Sequence, residues 1–194
     1  MGKPIRHEET RQAYDALLVV LAQSGDGRAA ERLAIRWHPR LLRTARRLIG
    51  ADLAQDVAQD SWVAIMRGLG RLRDQDRFAP WAFGILQRRC ADAVRTAGRA
   101  RARSAEMPED VPADQRDELR KLDLARAMES LPREQALAAH LHYIEGLTIS
   151  EIAAVQDVPP GTAKSRLFHA RRALKLALLP TQADSKEKTN VQDR

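Results

Sequence analysis

Residues Thr148–Lys175 read TISEIAAVQDVPPGTAKSRLFHARRALK, and the punctuation of this stretch decides the fold. Thr148 and Glu151 have the spacing of a capping box, in which each side chain satisfies an orphan N–H at a helix start. Ile149, Ile152 and Ala153 then give a short helix one apolar side. Asp157–Gly161 (DVPPG) ends it, because proline lacks an N–H donor and is tolerated only in the first turn of the next helix. A second helix runs from about Pro160. Its Ala163, Leu167, Ala170 and Leu174 recur at i, i+4, i+7 and i+11, one buried stripe. Two short helices joined by a tight turn form a helix-turn-helix, whose second helix can enter a DNA major groove.

The opposite face of that second helix carries the chemistry. Ser165, Phe168 and Arg172 point away from the stripe, with Lys164, His169 and Lys175 beside them. Arg166 lies nearer the stripe, so its stem covers packed residues. Lys and Arg suit phosphates, Ser can bond a base edge, and Phe can touch a thymine methyl. A basic amphipathic helix with a merely solvated face fits the same pattern, but a large aromatic on a polar face argues for a partner.

The chain has 194 residues, room for one large or two small domains. Its hydrophobic content of 44% suffices for packed cores, while Ala, Leu and Arg dominate and runs of β-branched residues are absent, so the expected class is all-α. A net charge of +7 points to a polyanionic partner or to plain solubility. The single cysteine, Cys90, excludes an internal disulfide and fits a reducing, cytoplasmic setting. No apolar run reaches membrane-spanning length, and Leu17–Ala22 is too short for a signal peptide.

Upstream, Tyr14, Leu17, Leu18 and Leu21 have helical spacing, and Ser24-Gly-Asp-Gly interrupts them. A second helix with Ala30, Leu33, Ala34 and Trp37 is expected to end at His38-Pro39. A third carries Leu41, Leu42, Ala45, Leu48 and Ile49 up to Gly50. Asp52–Leu69 has two apolar sides, which implies packing between neighbours; its remaining strip holds Asp56, Gln59, Asp60 and Arg67. Gly68–Phe78 has no apolar period and reads as a loop. Phe78–Val94 returns to helix with Trp81, Ile85 and Leu86 inward. Residues 95–117 turn basic, then acidic and Pro-containing, as a linker does. Leu119, Leu122, Ala125, Met128 and Leu131 line one further helix, and after Pro132 Leu137, Leu141 and Ile144 line the next. His140 and His142, two apart, cannot share a helix face, so no metal site is expected there.

Leu131-Pro-Arg-Glu, Tyr143-Ile-Glu-Gly-Leu-Thr, Glu151-Ile-Ala, Val158-Pro-Pro-Gly-Thr-Ala-Lys-Ser-Arg-Leu and His169-Ala-Arg-Arg-Ala-Leu, in this order, resemble region 4 of bacterial sigma-70 family RNA polymerase sigma factors, in the extracytoplasmic-function (ECF, group 4) subfamily. Asp52-Leu-Ala-Gln-Asp-Val-Ala-Gln-Asp-Ser-Trp resembles region 2.2, which binds the polymerase core. The resemblance implies two small helical domains joined by a flexible linker. Residues 10–97 would form the region 2 bundle, 98–116 the linker, 117–179 the region 4 helix-turn-helix, and 180–194 a disordered tail. It implies core contacts at Asp56, Gln59 and Asp60. Capture of the single-stranded −10 element falls to Arg71, Arg73, Arg77, Phe78, Trp81, Arg88 and Arg89, since aromatic platforms and basic grooves hold single strands. Core packing is the plainer role for Phe78 and Trp81. Reading of the −35 duplex falls to Lys164, Ser165, Arg166, Phe168, His169 and Arg172. Where the family often has Asn, this chain has Leu86-Gln-Arg-Arg, which leaves its base preference open. The implied partners are core polymerase, promoter DNA and an anti-sigma factor, with no cofactor and no membrane insertion.

A helix-turn-helix regulator without sigma activity would share the C-terminal part but lack Asp52–Trp62 and the loop-aromatic segment. An enzyme would need a metal cluster, a phosphate loop or a nucleophile–base pair, and none is visible. The expected activity is promoter-directed initiation of transcription.

Overall fold

The structure, a computed structural model, describes residues 7–101, 126–128 and 130–178. Among these residues there is no strand, and the order is α1 (His7–Gln23), α2 (Gly27–Ile49), α3 (Ala51–Gly68), two 3-10 turns (Leu69–Arg71 and Gln75–Arg77), α4 (Phe78–Arg101), α5 (Arg133–Tyr143), α6 (Ile149–Gln156) and α7 (Pro160–Leu178). Leu119, Leu122, Ala125, most of the linker and the tail lie outside the described residues. Residues 98–101, assigned to the linker, continue α4.

The first hairpin differs from its expected form in two ways. On α1 the buried side chains are Asp15, Leu18 and Val19, while Tyr14, Leu17 and Leu21 are exposed. Helix α2 runs unbroken through Pro39, joining what read as two helices. Its Leu33, Trp37, Leu41 and Ala45 form one stripe, each no more than 1% exposed. An interior proline costs about 3 kcal/mol, but burying one large apolar side chain contributes about 1.5–3 kcal/mol, so a continuous stripe wins. Pro39 and Ile35, whose carbonyl it cannot bond, both lie on the exposed side, where water can serve that carbonyl. Asp26 caps α2 by accepting from the N–H groups of Arg28 (2.8 Å) and Ala29 (3.2 Å).

Helix α3 buries Ala54, Val57, Ala58, Ser61 and Ile65. The expected loop after it is pinned rather than free. Leu69 is buried, Leu72 packs on the core, and Gln23 Nε2 donates to the carbonyls of both at 2.8 Å. Helix α4 buries Phe78, Ala82, Leu86 and Cys90 at successive i+4 positions, with Phe83 beside them. Burial pushes the Cys90 thiol up to about 11, against a smaller opposing effect of Arg133.

In the C-terminal unit the capping box at Thr148 is complete. Glu151 N–H donates to Thr148 Oγ1, and Thr148 N–H donates to Glu151 Oε2 at 2.8 Å. Asp157 takes the left-handed conformation (φ 51°) that separates α6 from α7. Ala163, Leu167, Ala170 and Leu174 are buried as the spacing predicts. Ile144, expected inward, is 56% exposed, because α5 ends at Tyr143 and the chain turns through Gly146 (φ 77°).

The two units are docked, whereas a polar linker alone suggests independent bodies. Leu137, Leu141, Leu147, Ile152 and Ala163 join one apolar cluster with Leu33, Trp37, Phe78 and Leu86. Helix α6 packs against α4. A buried polar seam runs beside this apolar contact. Arg40 Nε donates to Glu145 Oε2 (2.7 Å), Arg43 donates to Glu145 Oε1 (3.3 Å), and Thr44 Oγ1 lies 2.9 Å from His140 Nε2. Such long-range pairings have no local signature, which is why the sequence does not announce them.

Candidate nucleic-acid interface

Helix α7 presents the expected face. Lys164, Ser165, Phe168, His169 and Arg172 are exposed, Phe168 at 52%. Its ring meets His169 edge-on at 5.6 Å between centroids, so the two form one aromatic surface. Ser165 Oγ donates to the Thr162 carbonyl at 3.0 Å, leaving its oxygen lone pairs outward. Arg166 behaves differently from its neighbours. It is half-buried and donates to Gln156 Oε1 at 2.9 Å, while Gln156 Nε2 donates to the Glu134 carbonyl at 2.8 Å. This chain ties α7 to α6 and α5, so Arg166 holds the angle of the helix-turn-helix.

A second surface forms where the pinned loop meets α4. Leu72, Asp74, Arg77, Pro80, Trp81, Gly84 and Arg88 wall a cleft of about 340 Å³, with Ala154 of α6 across it. Trp81 is half-buried, and its ring crosses Gly68 so closely that a Cβ there would sit 3.1 Å from Cζ2. Gly68 therefore belongs to the site's support; the sequence marks it only as a glycine at a helix end. Arg71, Arg73 and Arg89 are exposed but do not line the cleft. Phe78 departs from the expected contact set. It is 1% exposed and packs edge-on against Trp37 at 4.8 Å, so it fixes the start of α4 and offers no open platform. The plainer reading holds for Phe78, and Trp81 is left as the half-open aromatic.

A third surface lies on α3. Asp56, Gln59 and Asp60 are all exposed on a helix that buries Ala54, Val57, Ala58, Ser61 and Ile65 on its other side.

A helix-turn-helix with an exposed basic-aromatic face, together with an aromatic-basic cleft, defines a helical DNA-binding protein, and a separate acidic strip lies apart from both surfaces. Residues 33–100 match the family model of Sigma-70 region 2 and residues 121–174 that of Sigma-70, region 4. The chain belongs to the sigma-70 family of RNA polymerase sigma factors, in its extracytoplasmic-function branch. It is 31% identical over 185 residues to the RNA polymerase sigma-H factor of Pseudomonas aeruginosa, covering 87% of this chain and 96% of that one. It is 28% identical to the ECF RNA polymerase sigma-E factor of Escherichia coli K12, covering 85% and 94%. Among solved structures, CnrH in complex with the cytosolic domain of CnrY is similar at a TM-score of 0.61, with 27% identity over 85% of this chain and 97% of that one. The sigma factor RpoE of Bartonella quintana, solved with the anti-sigma factor NepR, shares the fold at a TM-score of 0.67, with 24% identity over 78% and 98%. The chain is thus a transcription initiation factor that acts with core polymerase on promoter DNA. No helix among the described residues is long and apolar enough to cross a membrane.

Proposed function

We propose a division of labour among the three surfaces. Asp56, Gln59 and Asp60 on α3 dock core polymerase. The cleft around Trp81, with Arg77 and Arg88, captures the melted −10 strand. Arg71, Arg73 and Arg89 track the phosphates leading to it, because exposed guanidinium groups beside an aromatic pocket act as an electrostatic funnel. Phe78 contributes through the packing that positions Trp81. On α7, Lys164 and His169 contact phosphates, while Ser165, Phe168 and Arg172 meet base edges of the −35 duplex. Arg166 sets the helix angle. The protein works by recruitment and strand capture, without covalent chemistry, in the cytoplasm. An anti-sigma factor is a fitting regulator, since the structurally similar sigma factor RpoE was solved with one, and the similar CnrH with the cytosolic domain of CnrY.

The observation that carries this reading is the exposure of an acidic strip on α3 and a basic-aromatic face on α7 of the same chain. Titration of core polymerase with the full chain tests it. Asp60→Arg is expected to weaken core binding and leave −35 duplex binding intact; unchanged core affinity would remove the strip from the account.

A further inference from the structure

Leu72, Asp74 and Arg77 of the loop before α4 line the same cleft as Trp81, Gly84 and Arg88 of α4. The α4 side is held by packing. Phe78 is enclosed and lies 6.0 Å from Trp81 between ring centroids, and the Trp81 ring crosses Gly68. The loop side has little of its own. It consists of two short 3-10 turns, closed by Leu72 N–H on the Leu69 carbonyl (3.0 Å) and by Arg77 N–H on the Asp74 carbonyl (3.1 Å). Asp74 stands at the N-cap position of the second turn, yet its carboxylate makes no cap bond. A segment so poor in internal bonds takes its shape from whatever serves its remaining backbone groups.

That service comes from α1. Gln23 is half-buried, and its Nε2 donates to the carbonyls of Leu69 and Leu72 at 2.8 Å each. A carbonyl oxygen only accepts, so the amide nitrogen has to face these two groups. Oε1 is thereby turned toward Gln75, whose Nε2 donates to it at 3.0 Å. One side-chain amide thus ties positions 69, 72 and 75, which belong to both turns. Among the described residues nothing else donates to the Leu72 carbonyl. About three turns earlier on α1, Gln12 Nε2 donates to the Asp76 carbonyl at 3.0 Å, so the same helix holds the far end of the loop. Neither glutamine lines the cleft.

We propose that Gln23 is a positioning residue for capture of the −10 strand: its amide, reaching across from α1, sets the loop that forms the cleft wall beside Trp81. It touches no nucleotide and acts through Leu72, Asp74 and Arg77. This rests on the assignment of that cleft to the −10 strand.

The test is runoff transcription by core polymerase with the full chain, on a promoter library randomised in both elements, comparing the parent with Gln23→Met and Gln23→Glu. Methionine keeps the length and packing of glutamine but donates nothing. Glutamate keeps the acceptor for Gln75 and turns an oxygen toward the two carbonyls. Both variants should lose about tenfold of the parent's discrimination among −10 sequences, the effect of two lost hydrogen bonds, and keep its −35 preference. Arg36→Ala removes an ion pair on the same helical hairpin without touching the loop, so it serves as the stability control and should keep both preferences. If either Gln23 variant selects the parent's −10 sequences while Trp81→Ala does not, the positioning role is overturned and the cleft's assignment stands. Loss of both preferences together with helix content in the Gln23 variants, or an equal −10 loss in Arg36→Ala, would reduce Gln23 to general support and overturn the role as well. If Trp81→Ala and both Gln23 variants all select as the parent does, the −10 assignment itself fails and the positioning role fails with it.

Discussion

Arg36 and Arg40 on α2 lie 2.8 and 2.7 Å from the carboxylates of Asp15 and Glu145, and Arg43 lies 3.3 Å from Glu145. On α7, Lys164, His169 and Arg172 have no acidic partner within 4 Å among the described residues, and all three face solvent. Both helices are rich in arginine and both carry a buried apolar stripe. The difference lies in what the rest of the fold brings to each. Helix α2 is met by α1 and by the α5–α6 turn, which supply acids, so its guanidinium groups hold the molecule together. Among the described residues no acid pairs with these cations of α7, so they stay available for phosphate. Positive charge alone does not mark a nucleic-acid surface; positive charge without an internal counter-ion does.

The sharpest way to break this comparison is Arg40→Ala. It leaves the buried Glu145 with only the longer contact to Arg43 and loosens Asp15, so it should cost about 3 kcal/mol, the lower range for removing one partner of a buried pair. Chemical denaturation checks it, and a loss below about 0.5 kcal/mol would place Arg40 among the ordinary surface residues. The same pair has a pH signature. Burial alone would raise the Glu145 carboxyl, but hydrogen bonds and positive charge from His140 and Arg40 lower it from 4.5 to about 2. A depressed folded value means the contribution is complete above about pH 4.5 and is lost as pH falls toward 2. Unfolding measured across that window should show the acid slope in the parent and a smaller one in Glu145→Gln.

On α7 the expectation is reversed. Phe168→Ala should leave stability within about 0.5 kcal/mol and cost roughly 1–3 kcal/mol on the preferred −35 site. A fold that loosens instead would return Phe168 to the core. The smallest effect is Lys164→Ala, which should lower the slope of log affinity against log salt by about one unit and weaken all sites alike.

The parts of this contrast were unequally legible. Helix α7 could be read because its signals are local: a capping box at Thr148, a break at Asp157–Gly161 and a stripe from Ala163 to Leu174. Arg166 showed its lean toward that stripe, but its partner Gln156 belongs to another helix. Pro39 misled, since proline is a local stop signal and the Leu33–Ala45 stripe that overrides it depends on tertiary burial. Phe78 was ambiguous for the same reason; only the approach of Trp37 shows that it is enclosed. Glu145 and His140 gave no sign of their pairing, because their partners lie about a hundred residues away and a lone acid in a turn looks solvated. Residues whose roles depend on i+3 and i+4 neighbours were visible, and residues whose roles depend on another unit were not.

The most direct test of the central claim is runoff transcription from a promoter library with core polymerase and the purified chain, run beside Arg172→Ala and Arg36→Ala. The parent should select promoters with a defined −35 element. Arg172→Ala should relax that element while the protein stays folded, and Arg36→Ala should keep the element and lose only stability. If Arg172→Ala selects the same −35 element as the parent and Arg36→Ala alters it, the counter-ion argument is wrong and α2 contributes to the reading surface.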